Sequence, residues 1–262
     1  MQLLEESTFA DPLAGPVRYS NLRYMGVSPA HYRAHILHPR EQTPAMRFGA
    51  LVHALVLGGE VTVWDGERRG RDWAQFRAEN DGALIVTRSE HDRAIEIADA
   101  IRTHERAAAI LSGDRELEIQ WQIGDRACVS HLDALGGDTL EGIVLGELKT
   151  TTCVEPYKFK RACLGMSYHG QLGMYADAAQ DIGRPVSSAF IVGVEVSPPY
   201  AITILRLTPR ALEAGRKLYR GWLERLRVCE ENDSWPAYCQ ADVDFDVEED
   251  VSVQIDGEDW PL

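Results

Sequence analysis

The chain has 262 residues, 45% of them hydrophobic, and a formal net charge of −14 at neutral pH. That size and apolar content fit one large domain, or a core with helical additions. No apolar run reaches membrane-spanning length, the start Met-Gln-Leu-Leu-Glu-Glu lacks the basic end of a signal peptide, and the five cysteines show no Cys-x-x-Cys spacing; a cytoplasmic protein with no membrane contact, disulfide framework or zinc site is expected.

Residues 1–17 read as a loosely held lead-in. Ser28-Pro29 is a good helix start, with a capping hydroxyl followed by a first-turn proline, and predicts a helix over 29–37. Pro44 precedes a second predicted helix over 46–57, which carries His53. The stretch 58–83 mixes glycine, charge and aromatic residues without a clear period and stays unassigned. From Thr87 to about Ser112 the apolar residues Ala94, Ile97, Ala98, Ile101, Ala108 and Leu111 fall near one face of a single helix, with Thr87 or Ser89 as its cap.

The period then changes from helix to strand. In 116–123, Leu117, Ile119, Trp121 and Ile123 alternate with Glu116, Glu118, Gln120 and Gln122, the pattern of a half-buried strand. Gly124-Asp125 suits a two-residue hairpin turn. A second strand over 126–135 places His131 and Asp133 on one face. Gly136-Gly137-Asp138 turns the chain again, and a third strand covers 140–149. The segment 156–181 is helical with a break near Gly165, and 187–196 and 200–207 read as two further strands. A last helix over 209–232 is rich in arginine; a solvated face and a DNA or subunit contact fit it equally well. The tail beyond Tyr238 shows some alternation at Val243, Phe245 and Val247 that fits one more short strand.

Charge is unevenly spread. Residues 239–262 hold nine Asp and Glu and no Lys or Arg, which leaves −5 over residues 1–238. The fields that matter to a polyanion are local, so an acidic total does not exclude a basic channel.

The densest chemistry lies between His131 and Thr151. Strand residues two apart share a face, so Glu147 and Lys149 emerge side by side, and the meander sets the strand of Asp133 next to them. Two carboxylates hold a hard divalent cation, and an ammonium beside them can act on an attacking water. Singly each piece has a plainer reading: Asp133 as a turn residue, Glu147 with Lys149 as a solvated pair, His53 as a core histidine, Tyr168 and Tyr175 as packing.

The full order is Gly49-x-x-x-His53, then Asp133, then Glu147-Leu-Lys149-Thr-Thr, then Gln171-x-x-x-Tyr175. This order resembles the RecB-type branch of the PD-(D/E)xK nuclease superfamily. Ser28-Pro29-Ala-His-Tyr32, Pro199-Tyr200, Leu207-Thr-Pro209, Gly215-Arg216, Cys229 and Trp235-Pro-Ala-Tyr238 narrow the resemblance to exonuclease VIII (RecE-type) enzymes of phage-type recombination, over about residues 18–240. The resemblance implies an α/β (α+β) nuclease core: a central mixed β-sheet flanked by helices, with a helical N-terminal region. Residues 1–115 would be the mainly helical part carrying His53, 116–238 the nuclease core with its C-terminal helix, and 239–262 an acidic tail, all in one structural domain.

It also implies roles. His53, Asp133 and Glu147 would ligate one or two Mg²⁺ or Mn²⁺ ions, with the Leu148 carbonyl as a further oxygen ligand. Lys149 would be the catalytic lysine, and Gln171 and Tyr175 the accessory pair. The substrate would be the end of linear duplex DNA, digested 5′ to 3′. Assembly would be homo-oligomeric, as a ring-shaped tetramer, with a single-strand annealing protein as partner. The family commonly has arginine two residues before the aspartate; His131 stands there, which leaves its DNA or carboxylate contact open. The helix start at Ser28, with Arg33 nearby, is a candidate phosphate contact. Some relatives carry a four-cysteine iron–sulfur cluster, but Cys229 and Cys239 are too far apart for that pattern, and no cluster is expected. The alternative readings are a Cas4-like or helicase-associated nuclease and, from another class, a non-catalytic DNA-binding subunit.

Overall fold

The computed structural model describes residues 12–136, 142–238 and 241–244, together with the backbone of 252–255 and 258–261. Short turns lead into β1 (Val17–Arg18), α1 (Tyr19–Leu22) and α2 (Pro29–Leu37). Then come α3 (Pro44–Leu57), β2 (Thr62–Trp64), α4 (Gly70–Glu79), β3 (Ile85–Thr87), α5 (Arg88–Thr103) and α6 (Glu105–Ile110). The centre is β4 (Asp114–Ile123), β5 (Arg126–Gly136), β6 (Val144–Thr151), α7 (Pro156–Gly165), α8 (Tyr168–Asp181), β7 (Ser188–Glu195), β8 (Ile202–Arg206) and α9 (Pro209–Glu231). A hairpin of β9 (Ser252–Ile255) and β10 (Glu258–Pro261) lies in the tail.

The sheet runs β1-β5-β6-β7-β8, with β4 also paired to β5. β5 is antiparallel to β4 and β6, β6 is parallel to β7, and β7 is antiparallel to β8. It is a mixed sheet with helices on both faces, as expected. β7 is buried on both sides: Ala189 and Ile191 join one core with Leu132, Leu145, Leu172 and Tyr219, while Phe190, Val192 and Val194 join another with Leu51, Ile97, Ile110 and Leu148. Such two-sided burial gives the continuous apolar run Ala-Phe-Ile-Val in place of alternation. The first core belongs to α8 and α9, the second to α3, α5 and α6.

Local chemistry explains the helix starts. Ser28, Thr43 and Thr208 each accept from the backbone N–H three residues on, and a proline follows each. Thr43 therefore starts α3 at Pro44, two residues before the expected position. Thr87 forms a full capping box with Glu90. The single helix expected over 87–112 is two: His104 ends α5 and its ring nitrogen caps α6 by accepting from Ala107 N at 3.2 Å.

The unassigned stretch 58–83 contains β2 and α4. Its strand pairs with β3 over three residues only, and α4 buries no residue fully; Trp73 and Phe76 rest on Trp64 instead. Val17, expected in a loose lead-in, is buried, and β1 pairs with β5. The third strand starts at Val144 and runs to Thr151, not Lys149; residues 140–141 and most of the expected turn at 136–138 lie outside the described residues. So do Phe245 and Val247, and the tail's hairpin comes later in the chain.

Two glycines bring α8 and α9 together. A Cβ on Gly173 would sit 2.7 Å from Arg216 N, and one on Gly215 would collide with the His169 carbonyl. Beside this contact Asp177 of α8 accepts from Arg216 Nε at 2.7 Å, Tyr219 OH at 2.5 Å and Arg220 NH2 at 2.6 Å. Arg227 pairs with Glu224 and Glu231. Much of the basic charge of α9 is thus spent within the chain, and the contact with α9 fixes the helix that carries Gln171 and Tyr175.

Candidate metal centre

β6 pairs with β7 along its whole length but with β5 only at 134–136. Where β5 and β6 separate, the side chain of Asp133 takes over from the ladder: its Oδ2 accepts from Leu148 N at 2.7 Å. This fork turns the Asp133 carboxylate toward β6. Alternation along β6 sends Leu148 into the α3/α5 core and turns Glu147 and Lys149 toward α8.

Glu147 is 2% exposed. Its Oε1 accepts from Lys149 Nζ at 2.6 Å and from Gln171 Nε2 at 2.7 Å. Gln171 Nε2 also donates to Tyr175 OH at 3.1 Å, so the two residues one helical turn apart act as one brace. The Lys149 ammonium lies 4.5 Å from the centre of the Tyr168 ring, a cation–π contact that adds a second restraint. Glu147 Oε2 is buried and has no hydrogen-bond partner among the described residues.

His53 comes from the opposite layer, on α3, with Nδ1 3.7 Å from Asp133 Oδ2. Glu116, at the start of β4, joins them: His53, Glu116 and Asp133 each offer a ligand atom, and these lie within 4.8 Å of one another. Glu116 was not among the residues the sequence singled out, since alternation assigns it to a solvated strand face. The signal was present in the hairpin. A two-residue turn at Gly124-Asp125 fixes a register with Ile123 opposite Arg126 and Leu117 opposite Leu132, which sets Glu116 across from Asp133. What the sequence does not reveal is the backbone there, for Glu116 has a φ of 49°.

The electrostatics are those of crowded negative charge. Burial, and then Asp133, push the Glu147 carboxyl up to about 7. Burial also opposes charge on Asp133, but His53, Lys149 and the Leu148 N–H outweigh it and hold that carboxyl below its usual value. On His53 and Lys149 burial favours the neutral form, and the neighbouring carboxylates override it; both are raised. Burial and Asp133 raise Glu116, and burial raises Tyr175. A group of carboxylates plus an imidazole, with one carboxylate oxygen buried and unpartnered, is a donor set that fits a divalent cation.

The other expected contacts lie elsewhere. Ser28 is buried, and its hydroxyl caps α2 and meets His31 Nδ1 at 2.7 Å. Arg33 lies over the Trp235 ring at 5.8 Å. His131 is bonded to Arg18 and lies 3.1 Å from Glu118. The structure thus gathers His53, Asp133, Glu147, Lys149, Gln171 and Tyr175 into one interacting set and engages Ser28, Arg33 and His131 with other neighbours.

A family model described as a PDDEXK-like domain of unknown function (DUF3799) matches residues 19–243. The chain belongs to this family. The PDDEXK-like match takes in α1 through α9 and so includes every strand of the main sheet except β1. Among solved structures, the chain resembles a candidate exonuclease from Eubacterium rectale, with a TM-score of 0.61 and 14% identity over 95% of this chain and 97% of that one. At that identity the likeness establishes the fold. A second structure, of the protein designated SSO0001, aligns over 75% of this chain and 81% of that one at 10% identity, and its TM-score of 0.32 carries no argument. No curated protein matches the chain. Among the described residues, no helix is long and apolar enough to cross a membrane.

Proposed function

We propose that this PDDEXK-like protein is a divalent-metal-dependent DNA exonuclease that hydrolyses linear duplex from its ends, 5′ to 3′. The observation that carries the reading is the fork between β5 and β6, which sets Asp133, Glu147 and Lys149 together with His53 from α3 and Gln171 from α8. His53, Asp133, Glu147 and the Leu148 carbonyl would hold one or two Mg²⁺ or Mn²⁺ ions. When bound, the ion supplies a Lewis acid at the scissile phosphate and eases deprotonation of the attacking water. A nitrogen ligand suits Mn²⁺ better than Mg²⁺.

The chain's own residues divide the remaining work. Lys149 is held as an ammonium by Glu147 and Tyr168, so it donates rather than accepts. It orients the attacking water and offsets negative charge growing on the phosphoryl oxygens. Gln171 fixes the rotamer of Glu147, and Tyr175 fixes Gln171. Attack of the water oxygen on phosphorus, with the water's proton passing to solvent, breaks the bond to the 3′ oxygen, which leaves with a proton from solvent as a 3′-hydroxyl and yields a 5′-phosphate. The cellular setting proposed is phage-type homologous recombination in the cytoplasm, by a homo-oligomeric ring working with a single-strand annealing protein.

The test is digestion of linear duplex labelled at the 5′ end or at the 3′ end, with Mg²⁺ or Mn²⁺ and with EDTA. Early release of the 5′ label, EDTA sensitivity and survival of a closed circle are expected. Cleavage of the circle at the linear rate would refute the end requirement, and cleavage in EDTA would refute the metal.

A further inference from the structure

We propose that Glu116 is a ligand of the metal centre, completing a His53–Glu116–Asp133 donor set. The inference deepens the nuclease reading and rests on it. Three features of the chain converge on this residue. Its carboxylate shares a group of ligand atoms within 4.8 Å with His53 and Asp133. The three also line one cavity of about 570 Å³, together with Met46, Gly49, Ala50 and Ala54 of α3. Glu147, by contrast, already commits Oε1 to Lys149 and Gln171. Glu116 and Asp133 are the carboxylates that line this cavity, and Glu147 does not.

The backbone points the same way. Glu116 has a φ of 49°, a left-handed conformation uncommon for a residue with a side chain. The β4–β5 ladder holds register on both sides, with Arg115 opposite Ala134 and Leu117 opposite Leu132, and pauses between them, at the position facing Asp133. An ordinary solvated strand residue would keep extended geometry there and project away from its partner. Outliers of this kind gather where a side chain is aimed at a ligand. Within electrostatic reach of Asp133 and His53, the buried and unpartnered Oε2 of Glu147 is a second sign that this corner is built around a cation.

The experiment is calorimetric titration of Mn²⁺ into the metal-stripped full chain, comparing wild type with Glu116→Gln, Glu116→Gly and Glu118→Gln. Glycine tolerates the left-handed conformation, so Glu116→Gly removes the carboxylate without straining the fold. Both Glu116 variants are expected to bind Mn²⁺ about tenfold or more weakly. Glu118→Gln, which alters the acid next to His131, is expected to keep wild-type affinity. Wild-type affinity in either Glu116 variant, or an equal loss in Glu118→Gln, would overturn the assignment while leaving the metal nuclease intact. Failure of the wild-type protein to bind Mn²⁺ at all would overturn both.

Discussion

Replacing Glu147 with glutamine is expected to stabilise the metal-free protein at alkaline pH and to abolish its response to metal. Burial and Asp133 raise this carboxyl from 4.5 to about 7 on folding. A carboxyl with a raised folded-state value binds its proton more tightly in the folded state. The folded protein therefore bears no penalty from it below pH 4.5, loses stability as the pH climbs from 4.5 to 7, and carries the full penalty above that window. At about 1.4 kcal/mol for each pH unit between the two values, the penalty reaches about 3 kcal/mol. Glutamine imitates the protonated acid: its amide oxygen keeps the position that accepts from Lys149 and Gln171. The assay is urea unfolding in EDTA at pH 5 and pH 8. The two proteins should differ little at pH 5, and the variant should be more stable by about 3 kcal/mol at pH 8. Mn²⁺ at 100 times its dissociation constant adds about 2.7 kcal/mol to a protein that binds it, which would restore the wild type and leave the variant unchanged. A stability difference that does not vary between pH 5 and pH 8 would refute the reasoning.

Other consequences are as direct. Lys149→Ala should lower the cleavage rate by about 10²–10³-fold while Mn²⁺ still binds, because the ammonium acts on the reacting groups and is not a ligand; calorimetry alongside single-turnover digestion separates the two. Asp177→Ala should cost about 2–4 kcal/mol in urea unfolding, since it leaves the Tyr219 hydroxyl and the Arg216 guanidinium without their acceptor; a loss under 1 kcal/mol would mean that the α8–α9 contact does not depend on it. Removal of residues 241–262 should leave digestion of short duplexes unchanged and tighten DNA binding at low salt, where repulsion by the acidic tail is least screened. A truncated protein that is folded yet inactive would place the tail in the working assembly.

Much of the centre could be read from the chain because its chemistry is local in sequence. Glu147-Leu-Lys149 needs only the two-residue period of a strand, Gln171 and Tyr175 only one helical turn, and the caps at Ser28 and Thr87 only a hydroxyl three residues before the N–H it accepts from. The nearness of Asp133 to β6 followed from the meander. What escaped depends on distant partners or on backbone detail. The break at His104 is a ring nitrogen capping α6, which apolar periodicity does not register. β2 is three residues long and α4 rests on local aromatic contacts, so neither develops a period. β1 is a strand only because β5 offers it a free edge. Glu116 alternates with Leu117 like any solvated strand residue, and its φ of 49° cannot be read from composition. Ser28 shows the converse: a serine before a proline suits both a cap and a phosphate contact, and its burial here assigns the hydroxyl to capping.

The most direct measurement is the digestion of one linear duplex by wild type and by Asp133→Ala in Mn²⁺, with both proteins checked for the same circular dichroism spectrum. Asp133 is where β5, β6 and α3 meet, through Leu148 N and His53. The expected result is metal-dependent release of nucleotides by the wild type and none by the variant. Equal digestion by the two proteins, or no digestion by a folded, metal-loaded wild type, would contradict the assignment of this cluster as a nuclease centre.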